Sequence, residues 1–373
     1  MRKNCVEPVS TVNNNIAQSL MRILDCYFAD YYDTEIKKVS PEEIDEMELC
    51  IESYFIFAFI WSIGCTTNLE GRERFSGKVR ELMGKDVKYK MPAEGLVYDY
   101  CFIKDKKEWV IWTNTVAAYS VDTKLSYGEI VVPTFDSIRM KYLKRILVMN
   151  KKHVLSPGPT GTGKTVNINQ LLTSELNEDY QTIPLTFSAQ TSANQTQDAL
   201  DEKFDKRRKG VYGPPPGKRF VIFVDDLNMP KKEEYGAQPP IELLRQWMDH
   251  QGWYDRKSKE KPFMKIEDII FIGAMGPPGG GRSALTRRLE RHFNIITYTN
   301  LGKESITMIF QKIVYAFLSS FSEAIAKCLD EIVEATQRVY NAVATNLKPT
   351  PSKSHYTFNL RDMSKIFQGL CSA

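Results

Sequence analysis

The spacing of apolar and polar positions changes twice along this chain. Up to about residue 90 it is helical. Within 15–32, Ile16, Leu20, Ile23 and Tyr27 share one helix face. Ser40-Pro41-Glu42-Glu43 reads as a helix start, with serine as N-cap, proline in the first position and acids in the first turn. The helix it opens runs into the apolar stretch 54–63, which predicts a buried helix whose aromatics pack a core. From 96 to 112 the period becomes that of strands. Residues 97–103 and 109–112 flank a charged tip, 104–108, as in a β-hairpin.

After the hairpin, strands and helices alternate. Strands are expected at 152–156, 182–187, 220–224, 269–274 and 294–299, and helices from about Lys164 and over 193–208. The second helix ends in the charged run 205–209, read as a solvated face, and Gly213-Pro-Pro-Pro-Gly217 is a loop. The run Phe220-Val-Ile-Phe-Val224 has the continuous β-branched and aromatic character of a buried parallel strand. This alternation predicts an α/β fold with a doubly wound parallel sheet. Beyond Leu301 the pattern is helical. The expected division is 1–128 helical with a β-hairpin connection, 129–300 α/β, and 301–373 a helical lid.

Composition narrows the function classes. At roughly 150 residues per domain, 373 residues predict two to three domains. Apolar residues at 42% and charged residues at 26% exclude wholesale disorder. Fifty Lys and Arg against 46 Asp and Glu leave only +4, which makes no case for nucleic acid or for an anionic membrane. The seven cysteines are scattered without a CxxC pair, which argues against zinc or a disulfide framework and fits a reducing compartment. The first ten residues hold no apolar signal core, and the stretch 54–63 is too short to span a bilayer.

The strongest chemical signal is Gly158-Pro159-Thr160-Gly161-Thr162-Gly163-Lys164-Thr165. It matches G-x-x-x-x-G-K-[ST] in full, between an expected strand and an expected helix. Glycines let the backbone curl around phosphate oxygens, and the helix N-terminus adds positive potential. Lysine reaches the β- and γ-phosphates, and the threonine hydroxyl serves Mg²⁺. Asp225, at the C-terminal end of the 220–224 strand, is the expected carboxylate partner of the metal. Asp226 either positions the attacking water or caps the turn before Asn228-Met229-Pro230.

The strings GPTGTGKT (158–165), FSAQTSANQTQ (187–197), DKRRKGVYG (205–213), FVDDLNMP (223–230), YGAQPPIELLRQW (235–247), AMGPPGGGR (274–282) and FNLRD (358–362) together resemble the AAA+ ring of dynein heavy chains, most of all the axonemal ones. Their order is similar to the third AAA+ module of such a chain, with 54–64 and 97–112 resembling the helical lid of the second module and the connection into the third. The resemblance implies an AAA+ P-loop NTPase fold with helical lid subdomains, binding ATP or ADP with Mg²⁺. It places Val131, Val132 and Pro133 against adenine and makes Arg361 the lid arginine that contacts the module's own nucleotide. Arg288 and Arg291 fall near the arginine finger that serves the neighbouring module's site. With Arg287 they read equally well as a surface salt-bridge cluster.

Two positions depart from the AAA+ pattern. The second acidic residue of the Walker B strand is Asp226 rather than glutamate, so its carboxylate sits one methylene farther back. The strand-end sensor position aligns with Gly276, which has no side chain. The implied function is an ATP-binding regulatory module of an axonemal dynein, with slow or gated hydrolysis. The alternative is a structural module that holds nucleotide without turnover. Whether the chain is an ATPase in its own right is left open by these two positions. A nucleic-acid ATPase would need a basic, aromatic-bearing groove, of which the charge balance gives no sign. Implied partners are neighbouring AAA+ modules of the same heavy chain, with dynein light and intermediate chains and microtubules reached through the full-length motor. The implied location is cytoplasmic, in the axoneme of a cilium or flagellum. Met1 falls inside the preceding module, as expected of a fragment, a short isoform or a truncated gene product.

Overall fold

The computed structural model describes residues 5–32, 40–84, 87–116, 119–122, 125–319, 321–353 and 355–372. Its first segment is built on α1 (Asn13–Tyr32), α2 (Pro41–Ile63) and α3 (Leu69–Met83). Ser40 opens α2 as its residue type predicts: its hydroxyl accepts from the Glu43 amide while the Glu43 carboxylate accepts from the Ser40 amide, a reciprocal capping box. The apolar end of α2 is buried at Phe57, Ala58, Ile60 and Trp61, and only Phe55 turns outward, 47% exposed. The expected hairpin is present as β1 (Tyr100–Ile103) paired antiparallel with β2 (Glu108–Ile111).

Helix α4 (Phe135–Met149) joins this segment to the sheet that follows. Its Ile138, Met140, Leu143 and Leu147 share one buried cluster with Phe57, Trp61, Tyr98 and Trp112 of the first segment.

The α/β region runs through β3 (His153–Pro157), α5 (Lys164–Ser174), β4 (Tyr180–Thr186), α6 (Ala193–Asp201), β5 (Asp205–Arg208), β6 (Val211–Gly213), β7 (Arg219–Asp225) and α7 (Pro239–His250). It continues with β8 (Gly252–Tyr254), β9 (Phe263–Ile266), β10 (Ile269–Met275), α8 (Arg287–Glu290) and β11 (Phe293–Ile295). The five strands β11-β3-β10-β7-β4, in that order, form an all-parallel sheet. Successive residues of β7 point to opposite faces, and both faces are covered. Phe220, Ile222 and Val224 pack with Leu244 and Trp247 of α7, whereas Val221 and Phe223 pack with Ile168 and Leu171 of α5. This is the doubly wound arrangement that the continuous apolar run predicts.

Two expectations are corrected. The helix expected over 193–208 ends at Asp201, and 205–208 is strand β5. Phe204 causes the break: it packs between Phe220 and Trp253, with ring centroids 6.0 and 6.1 Å away, which pulls the chain out of helical geometry. The charged run 205–208 then becomes the edge of a second sheet, β5-β6-β9-β8, that the sequence reading missed. The last parallel strand is also shorter than expected, covering 293–295 rather than 294–299. The amides of Ile296 and Tyr298 still donate to Leu155 and Pro157 carbonyls at 2.9 and 2.7 Å, so the pairing continues in irregular form.

The chain then forms α9 (Lys303–Leu318), α10 (Glu323–Ala326), α11 (Leu329–Asn346) and α12 (Leu360–Ser372). Phe310 of α9 stacks on Phe367 of α12 at 4.1 Å, beside Val333 of α11 and Met363. Val132, Tyr119, Tyr127 and Ile130 pack into this same cluster, so the stretch that leads into α4 is held by the C-terminal helices.

Candidate functional site

The C-terminal ends of β3, β10 and β7 open into a cavity of about 590 Å³, bounded on its far side by α9 and α12. A crevice outside the carboxyl ends of a parallel sheet is where ligands bind in such folds. Residues 160–166 line it. Gly161 and Gly163 take left-handed backbones, φ +80° and +76°, which only glycine adopts without strain. That curl sets the N-terminus of α5 on the cavity floor, where amide groups and the helix dipole favour an anion.

The Lys164 ammonium folds back on its own loop, donating to the carbonyls of Gly158 at 2.8 Å and Pro159 at 2.6 Å. Burial lowers its pKa to about 8, with Asp225 opposing that shift and Arg282 adding to it. A half-buried ammonium whose neighbours are its own loop's carbonyls is a group set to exchange them for a better acceptor. Asp225 ends β7 and accepts the Thr165 hydroxyl on Oδ2 at 2.8 Å and the Asp226 amide on Oδ1 at 3.0 Å. The predicted hydroxyl–carboxylate pair therefore meets at one point of the cavity wall.

Asp226 has φ +51°. Its carboxylate lines the cavity, 3.7 Å from Nη2 of Arg282. Asp225 and Asp226 thus leave the strand in different directions.

The other predicted contacts divide. Val131 and Val132 line the cavity, while Pro133 does not. Gly158 and Pro159 lie outside the lining and act through the carbonyls that hold Lys164. Arg361 is exposed, lines the cavity from α12 and makes no ion pair among the described residues. Lys365, one helical turn on, lines it too.

The arginines near 288 sit elsewhere, and none lines this cavity. Arg287 pairs with Glu290 at 2.7 Å and also donates to Ser10, and Arg291 pairs with Asp249. Those two belong to salt-bridge clusters. Arg288 is exposed and makes no ion pair among the described residues.

Behind the phosphate loop lies a buried polar triad that the sequence reading did not contain. Lys144 donates to Asn167 Oδ1 at 2.8 Å and to the Tyr298 hydroxyl at 2.6 Å, and that hydroxyl donates to Asn167 Oδ1 at 2.6 Å. It ties α4, α5 and the segment after β11 together below the loop. Tyr127, Arg282 and Lys365 were missed as well. Lys365 carried a signal, its i, i+4 spacing from Arg361. Arg282 carried none that local spacing could show.

The donor set fits a nucleoside phosphate with a hard divalent cation. Lys164 has replaceable partners, the Nε of Arg282 is buried without one among the described residues, and Thr165 and Asp225 offer two oxygens side by side, the ligand type that Mg²⁺ takes.

Comparison with known proteins agrees with this geometry. Residues 119–301 match the family model of the P-loop containing dynein motor region, 1–114 match the dynein heavy chain AAA lid domain, and 332–373 match the AAA+ lid domain. Among curated relatives, human dynein axonemal heavy chain 1 is 45% identical over all of this chain, which spans 9% of that protein. Mouse dynein axonemal heavy chain 3 is 39% identical over 99% of the chain, and rat dynein axonemal heavy chain 12 is 43% identical over 85% of it. The chain spans 10% and 11% of those two proteins. With the two dynein models together matching most of its length, the chain belongs to the dynein heavy chain family, as an AAA+ P-loop segment of the axonemal type.

Proposed function

We propose that this chain is a regulatory nucleotide-binding module of an axonemal dynein heavy chain, the third AAA+ module preceded by the lid of the second, and that it holds ATP or ADP with Mg²⁺ while hydrolysing slowly or under gating. One observation carries the reading: Thr165 and Asp225 meet at 2.8 Å in the same cavity that Lys164 and Arg361 enter from opposite sides. Lys164 binds the β- and γ-phosphates, Arg361 binds phosphate from the lid, and Val131 and Val132 pack against the base. Thr165 and Asp225 would hold Mg²⁺, which when bound neutralises charge on the phosphate oxygens. Asp226 orients the attacking water.

The same geometry supports gating. The base-side stretch Tyr127 to Val132 is anchored to the C-terminal helices, the Tyr127 hydroxyl donating to the Ser364 carbonyl at 2.9 Å. Occupancy of the cavity therefore biases how the lid sits on the sheet, and the lid transmits the state to neighbouring modules. Among the arginines expected near the finger, Arg288 alone makes no ion pair among the described residues, and we assign it to the neighbouring module's site. Partners are the adjoining AAA+ modules, with light and intermediate chains and microtubules engaged through the full motor, in the axoneme of a cilium or flagellum.

The experiment is calorimetric titration of the chain with Mg·ATP. Lys164→Ala should weaken binding at least about 100-fold, since it removes a charge-assisted contact of about 3 kcal/mol. Equal affinities for the wild type and the variant would sink the assignment. A second reading, a module that keeps its nucleotide without turnover, is favoured by the 3.7 Å approach of Arg282 to Asp226. Single-turnover hydrolysis in an assembled ring separates the two, because the second reading allows no product.

A further inference from the structure

Strand β10 runs alongside the phosphate-loop strand and ends at Met275, whose carbonyl accepts the Gly158 amide at 3.1 Å. The next residue, Gly276, lines the cavity without a side chain to offer it. Its place is filled from elsewhere. A Cβ built on Gly276 would fall 2.7 Å from both Cδ and Nε of Arg282 and 3.1 Å from Cζ. The glycine and the arginine thus share one volume, and a larger residue at 276 would exclude the guanidinium.

The local chain delivers Arg282 to that volume. Gly279 and Arg282 exchange two backbone hydrogen bonds, of 2.9 and 3.0 Å, across a turn whose central residues Gly280 and Gly281 have φ +56° and +87°. Two consecutive left-handed residues make a tight reversal that favours glycine, and it folds Arg282 back over Gly276. Asn228, fully buried, closes the base of the loop. Its side-chain Nδ2 donates to the carbonyls of Gly276 at 2.9 Å and Ser283 at 3.0 Å, and its backbone carbonyl accepts the Ser283 amide at 3.1 Å. The arginine is therefore delivered by a clamped loop rather than a free one.

Its hydrogen bonding is incomplete. Among the described residues Nε is buried with no partner, and Nη2 stands 3.7 Å from Asp226, longer than a direct hydrogen bond. A guanidinium with an unmet buried donor, in a cavity shared with Lys164, suits a phosphate oxygen. We propose that Arg282 reads the terminal phosphate of a bound nucleoside triphosphate, from the position that Gly276 leaves open, and so sets the preference of this site for triphosphate over diphosphate. The inference rests on the nucleotide-site reading above. It also gives the departure at 276 a physical meaning: the sensing group has moved from the strand end to the glycine turn that follows it. When the phosphate takes the guanidinium, Asp226 loses its cationic neighbour and is free for water.

The test uses the whole chain with Mg²⁺ and two probes, ATPγS and ADP, titrated separately by calorimetry. Arg282→Ala should weaken ATPγS about 10- to 100-fold, the range for losing one hydrogen bond to a charged group, and leave ADP within about 2-fold. Retained ADP binding shows that the variant is folded. Gly276→Ala is the second variant. Its new Cβ displaces the guanidinium without removing it, and it should shift the ratio in the same direction. The proposal is overturned if neither variant loses ATPγS selectively, whether both ligands weaken together or neither does. If the wild type binds neither ligand, the nucleotide-site reading falls with it.

Discussion

At the scale of single residues, Asp225 and Asp226 show how one step along the backbone sends two carboxylates to different neighbours. Asp225 still has strand geometry and is fixed by Thr165, whereas Asp226 is already left-handed at φ +51°. Asparagine and aspartate tolerate that region several-fold better than other non-glycine residues. The shorter acid is therefore the one that the backbone accepts here. Asp226→Asn should leave chemical stability unchanged, while Asp226→Glu should cost about 1 kcal/mol, measured by urea unfolding. The longer acid should nonetheless raise single-turnover hydrolysis in an assembled ring, because it restores reach toward the water, and Asp226→Asn should lower it. Equal turnover for all three would reject a water-positioning role. That Lys164, Thr165 and Asp225 share one cavity was legible in the sequence because each lies in a contiguous motif with its own strand or helix. Arg282 was hidden because the role proposed for it depends on sharing a volume with Gly276, which has no side chain, and such sharing exists only in three dimensions.

At the scale of elements, apolar runs were legible and charged strands were not. Strand β7 announces itself through five consecutive apolar residues that are covered on both faces. Strand β5 is Asp205-Lys-Arg-Arg208, and it pairs only with β6, at a sheet edge. Charged residues are what keep such an edge from pairing with another chain, so the feature that makes it a safe edge strand also makes it read as a solvated helix end. Arg207 anchors it, with Nε donating to Pro214 at 2.8 Å and Nη1 to Asp268 at 2.5 Å. Strand β3 carries a pH dependence. His153 is enclosed by Trp247, Phe271 and Phe293, and its Nδ1 accepts the Phe271 amide at 3.0 Å, so the ring is held neutral. Burial, with a smaller push from His292 and Arg22, takes its pKa from 6.5 to about 3. Between these two values the unfolded chain binds a proton that the native chain refuses. Stability should therefore fall as pH drops from 6.5 toward 3, by up to about 1.4 kcal/mol per pH unit from this group. His153→Gln should flatten that part of the profile in urea unfolding measured across the range. An unchanged slope would mean that other groups carry the acid sensitivity.

For the whole molecule, the boundary read from composition shifts and the boundary drawn by packing are different objects. The first segment and the sheet share one buried cluster that runs from Ile23 and Trp61, through Tyr98 and Trp112, to Leu143, Ile296 and Tyr298. Polar contacts cross the same seam. Arg72, fully buried over the Tyr98 ring at 5.2 Å, donates to the Thr297 carbonyl at 2.6 Å, and the Cys65 thiol reaches the Ile295 carbonyl at 3.1 Å. Tyr298, at the far end of this cluster, also belongs to the triad beneath the phosphate loop. The first segment is thus part of the support of the cavity, while the C-terminal helices touch the cavity through a separate cluster. Trp61 tests this division. It lies 5.5 Å from Tyr98 with Arg139 over its ring at 5.8 Å, and it is outside the lining of the cavity. Trp61→Ala should cost about 3–5 kcal/mol, and the loss should be felt across the seam. Hydrogen exchange should speed up in peptides covering 153–157 and 293–298 as well as in α2, while peptides of α11 keep their wild-type rates. Faster exchange confined to the first segment would show that the two parts unfold independently, and the shared core would then be contact without coupling.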